Sequence, residues 1–323
     1  MRWIVLLCLV IVGNAWAAPR TFEEAKVSSK QAVYFDQNTS ALGDIYCGCK
    51  WQWTGKSGGR MDLGGCGYTP RTNPERAARM EWEHIVPAST FGRQRQCWQH
   101  GGRENCNRTD PTFNLMEADM HNLYPSVGEV NGDRSNFNYG MALNLPNQYG
   151  MCRTKVDFKG RAAEPRAEAK GLAARVTFYM YDRYGLRMSP QQEQLFMAWN
   201  NAFPVTAWER ERNARITRVM GVGNPFVTGE KVWTKGYRPT GGSVASPEID
   251  PRPNAAAPVP LPPGPVAQPP AGGVPIVGNR NSQIYHVYGR CPSYNDVSPA
   301  NRIVFVSEQQ AINAGYRKAK NCR

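Results

Sequence analysis

The chain has 323 residues, with 39 lysines and arginines against 26 acidic residues, nine cysteines, four histidines and a formal charge of +13. With 41% hydrophobic and 11% aromatic residues it can bury the core of one good-sized domain with length left over, which excludes a disordered acidic chain. Its longest apolar run, Ile4 to Val12, falls short of the roughly 20 residues that a membrane-spanning helix needs.

That run reads instead as the core of a secretory signal peptide over residues 1–17, with Arg2 as its positive start and Ala15-Trp16-Ala17 as a small-x-small cleavage site. A buried N-terminal helix fits poorly, because the polar segment Ala18-Pro19-Arg20-Thr21 follows at once. Cleavage removes one arginine and one cysteine, leaving a mature chain of charge +12 with eight cysteines, an even number that reads as disulfides in an exported protein. A helix is predicted from Thr21, an N-cap followed by Glu23 and Glu24, to about Asp36.

Residues 44–164 are Gly-rich, Cys-rich and irregular, stapled by Cys47, Cys49, Cys66, Cys97, Cys106 and Cys152. Cys97 with Cys106, and Cys152 with Cys47 or Cys49, are candidate pairs; the spacing leaves the connectivity open. Metal binding by Cys47-Gly48-Cys49 is the weaker alternative in an exported chain. Three more helices are predicted: from Pro165 through Ala173, Val176, Tyr179 and Met180; from Ser189-Pro190 through Leu195, Phe196 and Trp199; and from Val205 to Met220.

Between Pro239 and Pro275 lie 12 of the 25 prolines, the composition of a semi-stiff linker. The expected organisation is a signal peptide (1–17), a catalytic domain (18–237), a Pro-rich linker (238–278) and a small basic module (279–323). The fold class is α+β: a mainly helical domain with irregular disulfide-stapled regions, and a small α+β module. The module carries seven basic and two acidic residues, and Cys291 and Cys322 are expected to pair and hold a unit too small to rely on its core alone. His286 with these two cysteines would make a poor structural zinc site.

The four histidines are His84, His100, His121 and His286. His84 stands in Glu81-Trp82-Glu83-His84-Ile85-Val86-Pro87. Neighbours on a strand face opposite ways, but at a strand end Glu83 and His84 can line one cleft and offer a hard oxygen ligand beside a general base. His121 reads as structural, close to a helix start, and His100 as exposed in its Gln-His-Gly-Gly loop. Downstream runs Asn122-Leu123-Tyr124-Pro125-Ser126-Val127-Gly128-Glu129-Val130-Asn131-Gly132-Asp133-Arg134-Ser135-Asn136. An amide oxygen at Asn131 with a carboxylate at Glu83 leaves most positions around a magnesium ion to water and phosphate.

These motifs, with Phe91-Gly92-Arg93-Gln94-Arg95-Gln96-Cys97-Trp98 and Gly101-Gly102-Arg103, closely resemble the endonuclease I family of periplasmic and secreted nonspecific nucleases, which carry a ββα-metal (His-Me finger) motif. The likeness continues through Trp199-Asn200, Trp208-Glu209 and Asn224-Pro225-Phe226-Val227, covering about residues 20 to 230. It implies His84 as general base, Glu83 and Asn131 as ligands of Mg²⁺ or another divalent cation, and Arg103 on the scissile phosphate. It implies cleavage of DNA, and of RNA, to 5′-phosphates by an exported, periplasmic or extracellular monomer. Glu81 and Glu129 either reach the metal through water or serve as supporting or solvated carboxylates, the reading we prefer. Arg134 contacts phosphate or holds its loop. Trp51, Trp53 and Trp98 read as core, with base stacking as the alternative.

The basic charge suits a polyanionic partner in a salt-sensitive way, although basic exported proteins also bind anionic envelopes. The small module looks like those appended to some secreted nucleases and, more distantly, like the zinc-binding domain of bacterial methylated-DNA repair proteins, which needs four cysteines where this segment has two. It would serve as an accessory patch for nucleic acid or as an envelope tether. A nucleic-acid-binding or uptake protein that keeps the fold without cleaving is the rival reading, and the complete set of Glu83, His84, Arg103 and Asn131 speaks against it. A zinc peptidase is disfavoured because no His-x₃-His spacing occurs.

Overall fold

The structure, a computed structural model, describes residues 17–142 and 144–241, then 276–279, 281–287, 290–298, 301–305, 308–313, 316–319, 321 and 322. Residues 1–16 of the expected signal peptide and residues 242–275 of the expected linker lie outside the described residues. The chain divides between Ile249 and Asp250 into two compact units.

In the first unit Thr21 Oγ1 accepts from the Glu24 N–H at 3.2 Å and starts α1 (Phe22–Ser28), which widens into a π-helical turn over Ser29–Val33. Strands β1 (Trp51–Thr54), β2 (Gly58–Met61), β3 (Arg79–His84) and β4 (Leu123–Val127) then form an antiparallel sheet in that order, with Met80 opposite Val127 and His84 opposite Leu123. Asn73 caps α2 (Pro74–Ala77) before β3.

Between β3 and β4 the chain makes an excursion through α3 (Ala88–Gly92), a 3₁₀ turn (Gln96–His100), α4 (Gly102–Thr109), α5 (Pro111–Glu117) and a second 3₁₀ turn (Met120–Asn122). Helix α6 (Gly128–Arg134) follows β4 without a loop, so β3, β4 and α6 form a ββα unit. A three-stranded sheet follows, β5 (Asn138–Tyr139), β6 (Lys155–Asp157) and β7 (Ala162–Glu164), ordered β5-β7-β6.

Residues 44–164 are therefore more regular than the sequence suggests. The strands hide because they are short, because β2 opens on Gly58-Gly59, and because β4 (Leu-Tyr-Pro-Ser-Val) is buried on both faces and shows no alternation.

The long helices lie close to their predicted positions. They are α7 (Ala167–Tyr184), α8 (Pro190–Ala202, capped by Ser189) and α9 (Ala207–Met220, capped by Thr206), followed by α10 (Pro225–Thr228). Arg175 of α7 and Glu209 of α9 form a buried bidentate pair, with both bonds at 2.6 Å. Removing either partner would strand a charge in the core. Three disulfides staple the irregular stretches: Cys47–Cys152, Cys49–Cys66 and Cys97–Cys106. The packing runs past Tyr237, since the Thr240 N–H and hydroxyl both donate to Asp182 at 2.9 Å.

The second unit is a four-stranded sheet, β10-β8-β9-β11, built from β8 (Ile276–Asn279), β9 (Ile284–Val287), β10 (Arg302–Phe305) and β11 (Arg317–Lys318), with α11 (Glu308–Asn313) after β10. Its core is small, centred on Ile276, Tyr285, Val287 and Phe305, and Cys291–Cys322 closes it. Strand β8 begins inside the stretch assigned to the linker, because Ile276-Val277 supplies buried β-formers directly after Pro275. His286 accepts or donates at Nδ1 with Ser293 Oγ, at 2.8 Å, and both cysteine sulfurs are committed to the disulfide.

Candidate active site in the ββα cleft

A cleft of about 560 Å³ opens over β3 and α6, and Glu81, Glu83, His84, Arg103, Asn131 and Arg134 all line it. His84 is the last residue of β3. Its Nε2 lies 2.9 Å from the Glu117 carbonyl oxygen. A carbonyl only accepts, so Nε2 carries the hydrogen and Nδ1 keeps its lone pair. The Phe22 ring of α1 lies over the imidazole, with centroids 4.7 Å apart. Burial lowers the His84 pKa to about 4, the cations Arg103, Arg134 and Lys26 add to the shift, and the Glu117 carbonyl opposes it. The imidazole is neutral at pH 7.

Glu83 precedes it and is 2% exposed. Its Oε1 accepts from the Tyr46 hydroxyl at 2.7 Å and from Arg134 Nη1 at 2.5 Å. Arg134, the last residue of α6, also donates to the carbonyls of His84 (2.8 Å) and Ile85 (2.7 Å) and lies over the Tyr139 ring. One buried guanidinium thus pins the end of β3, where strand neighbours both reach the cleft. Arg134 is 1% exposed. Burial pushes the Glu83 carboxyl up, while Arg134 and Tyr46 pull it down.

Helix α6 packs closely on α2 and the start of β3 because it carries glycine where contact is tightest. A Cβ at Gly132 would fall 2.2 Å from Arg76 Nη1, and one at Gly128 would fall 2.5 Å from the Arg76 carbonyl. Asn131 donates from Nδ2 to Glu81 Oε2 at 3.2 Å, and Glu81 is held by Arg76 at 3.0 and 2.8 Å. Glu81 therefore orients the Asn131 amide. Glu129 is 2% exposed and lies away from the cleft, accepting from the Tyr68 hydroxyl and from the backbone N–H groups of residues 71, 72 and 73. It fastens that loop to α6.

Arg103, on α4, is half exposed and donates from Nε to Glu117 Oε1 at 2.5 Å. Glu117 Oε2 accepts from Asn107 Nδ2 at 2.8 Å. Glu117 thus orients Arg103 with its side chain and His84 with its carbonyl. Sequence reasoning missed it, as it missed Phe22 and Tyr46; at the end of a short helix Glu117 looks like any solvated carboxylate, and only the buried Phe113 and Met116 beside it hint otherwise.

The remaining candidates are elsewhere. His121 is 1% exposed, with Nε2 3.0 Å from the Val222 carbonyl and its ring against Tyr179. His100 is exposed at the end of a 3₁₀ turn. Trp51 is core, Trp53 packs against it, and Trp98 lines the cleft edge.

Whether this set suits a metal is decided by its donors. Both bonds to Glu83 end on Oε1, and Asn131 is held through nitrogen, so Glu83 Oε2 and Asn131 Oδ1 are uncommitted among the described residues. Two hard oxygens suit a cation that keeps most of its water, as Mg²⁺ does. Among the described residues no group of three His, Cys, Asp or Glu is placed to hold a metal ion.

A family model described as Endonuclease I matches residues 21–230. The chain is 45% identical over 227 residues to an extracellular deoxyribonuclease of Aeromonas hydrophila, covering 70% of this chain and 97% of that protein. It is 50% identical over 184 residues to a periplasmic deoxyribonuclease of the same organism, covering 57% and 77%. It is 44% identical over 206 residues to an Endonuclease-1 of Buchnera aphidicola subsp. Acyrthosiphon pisum, covering 64% and 80%. Among the described residues no helix is long and apolar enough to cross a membrane.

Proposed function

The chain belongs to the endonuclease I family, and from that premise we propose that it is an exported, divalent-metal-dependent endonuclease. It hydrolyses phosphodiester bonds of DNA, and of RNA, without sequence preference and leaves 5′-phosphates. The observation that carries this reading is His84: a neutral imidazole whose Nε2–H is tied to the Glu117 carbonyl, in a cleft shared with Glu83, Asn131 and Arg103.

His84 Nδ1 takes a proton from the attacking water as its oxygen closes on phosphorus, and the Glu117 carbonyl steadies the imidazolium that forms. Arg103, aimed by Glu117, donates to a non-bridging phosphate oxygen. A divalent cation, Mg²⁺ for preference, would be held by Glu83 and Asn131 and would stabilise the charge that develops on phosphorus and on the departing 3′ oxygen. Arg134 and Tyr46 keep Glu83 in place, and Glu81 keeps Asn131 in place. Lys26, Arg76 and Arg103 on the cleft wall attract the polyanion whatever its sequence.

Export is supported by the signal-type leader, by the four disulfides and by relatives named extracellular and periplasmic. We assign the protein the expected order of leader, catalytic domain, proline-rich linker and basic accessory module. The test is cleavage of supercoiled plasmid by the mature, oxidised protein in Mg²⁺ and in EDTA, alongside His84→Ala. Metal-dependent nicking that the substitution abolishes is expected; DNA binding without cleavage in any divalent metal would leave a binding protein.

A further inference from the structure

Three non-glycine residues among those described have positive φ: Ser135, Arg161 and Gln283. One of them, Ser135, lines the cleft, and a second, Arg161, bonds to its neighbour Asn136. Ser135 follows the last residue of α6 and has φ 51° and ψ −124°. The Phe137 N–H donates to the Arg134 carbonyl at 2.9 Å, closing a four-residue turn with Ser135 at its first central position. Those angles are the ones a type II′ turn requires there, where glycine is the rule and a side chain is strained.

The next residue, Asn136, accepts at Oδ1 from Arg161 Nη2 at 3.1 Å, and Arg161 is itself held at φ 54° with its guanidinium over the Phe137 ring. That bond fixes the amide, so Nδ2 is the end left to donate. Ser135 and Asn136 both line the catalytic cleft, and neither the Ser135 hydroxyl nor Asn136 Nδ2 has a hydrogen-bond partner among the described residues. Glycine would meet every backbone requirement of this turn. The serine side chain therefore adds strain and makes no hydrogen bond among the described residues.

We propose that the Ser135–Asn136 turn is a binding element for the substrate strand, its hydroxyl and amide donating to a phosphate that flanks the one being cut. The inference rests on the nuclease reading and adds a subsite to it. Both donors are neutral and sit immediately beyond the helix that carries Asn131, so the element adjusts the position of the strand relative to the site and takes no part in the chemistry. A phosphate is the acceptor that every nucleotide presents in the same place, whereas base edges vary with sequence.

The test compares wild type with Ser135→Gly, Ser135→Ala and Asn136→Ala as mature, oxidised full-length proteins. Binding of a fluorescein-labelled DNA duplex is read by anisotropy in EDTA, so that cleavage plays no part. Loss of one hydrogen bond to a charged acceptor is expected to raise Kd about tenfold in each variant. Ser135→Gly should melt at or above the wild-type temperature, because glycine relieves the turn, so its weaker binding is not a folding defect. The loss should be the same on duplexes of equal length and different sequence. Wild-type affinity in Ser135→Gly would overturn the proposal, and a loss that varied with base sequence would overturn the phosphate assignment. Failure of wild type to cleave in Mg²⁺ would instead remove the nuclease reading, and the binding comparison would still decide the role of the turn.

Discussion

Two imidazoles of this molecule, His84 at the end of β3 and His121 in the turn before β4, have nearly the same local chemistry. Each points Nε2 at a backbone carbonyl, Glu117 at 2.9 Å and Val222 at 3.0 Å, and burial lowers the pKa of each to about 4. Each also has an aromatic ring against it, Phe22 or Tyr179. They differ in what the other nitrogen meets. His84 lines a cleft that carries cations and two uncommitted oxygens, whereas His121 is 1% exposed beneath α7 and α9. A depressed pKa and a fixed tautomer therefore do not identify a base; access to a reacting group does.

The sharpest way to break this comparison is to remove each ring in turn. His84→Ala should lower the cleavage rate by about 10² to 10⁴, the usual worth of a general base, while leaving the melting temperature close to wild type. His121→Ala should do the reverse. It leaves a cavity and an unpaired Val222 carbonyl, at about 2 to 4 kcal/mol of stability, while the folded fraction keeps its turnover. Equal loss of cleavage from both substitutions, at equal folded fraction, would end the distinction.

The pH dependence of stability separates the pair further. Above pH 6.5 His121 is neutral whether folded or unfolded; between 6.5 and about 4 the unfolded chain binds a proton that the folded one does not. Stability should therefore fall as pH drops through that window, by about 1.4 kcal/mol per unit for this one imidazole, and level off below it. Urea unfolding of wild type and His121→Gln at pH 7 and pH 5 measures this. The variant should lose less between the two values, and an identical slope would show that His121 is not held neutral.

Much of this was legible in the sequence, and the part that was not has a physical reason. Glu83, His84 and Asn131 stood out because they are chemically distinctive residues in one run of motifs. The N-cap Thr21 and the Ser189-Pro190 start marked helices because capping is local. Glu117 was invisible because its role depends on a carbonyl and a carboxylate that reach His84 and Arg103 from 33 and 14 residues away. Strand β4 was invisible because burial on both faces erases the alternation by which a strand is recognised. The partners of Glu129 were invisible for a similar reason: residues 71 to 73 belong to a loop that lacks any pattern.

Glu117 also gives a finer test of what distinguishes the two histidines. Glu117→Gln keeps the backbone carbonyl, and so the His84 tautomer, but weakens the side-chain hold on Arg103. The expected result is a loss of about 10 to 100-fold in kcat/KM, with His84 still neutral and still bonded through Nε2–H. The imidazole ¹⁵N shifts should stay at their wild-type positions. If they moved, the carboxylate and the carbonyl would be acting as one unit rather than two.

The smallest effect tests the cover over each ring. Tyr179 belongs to an 18-residue helix that is buried along most of its length, so nothing short of global unfolding should lift it from His121. Phe22 belongs to seven-residue α1, whose start is capped by the Glu24 N–H bond to Thr21 Oγ1 at 3.2 Å. Thr21→Ala should cost about 1 kcal/mol, and because helix ends fray locally the loss should appear in α1 and leave the global transition almost unmoved. Amide exchange in residues 22–28 should quicken about fivefold, and cleavage should fall by a factor of about two to five as Phe22 spends more time off His84. Unchanged exchange with unchanged cleavage would mean that the ring is held by Arg103, 5.6 Å from its centroid, and not by the capped start of the helix that carries it.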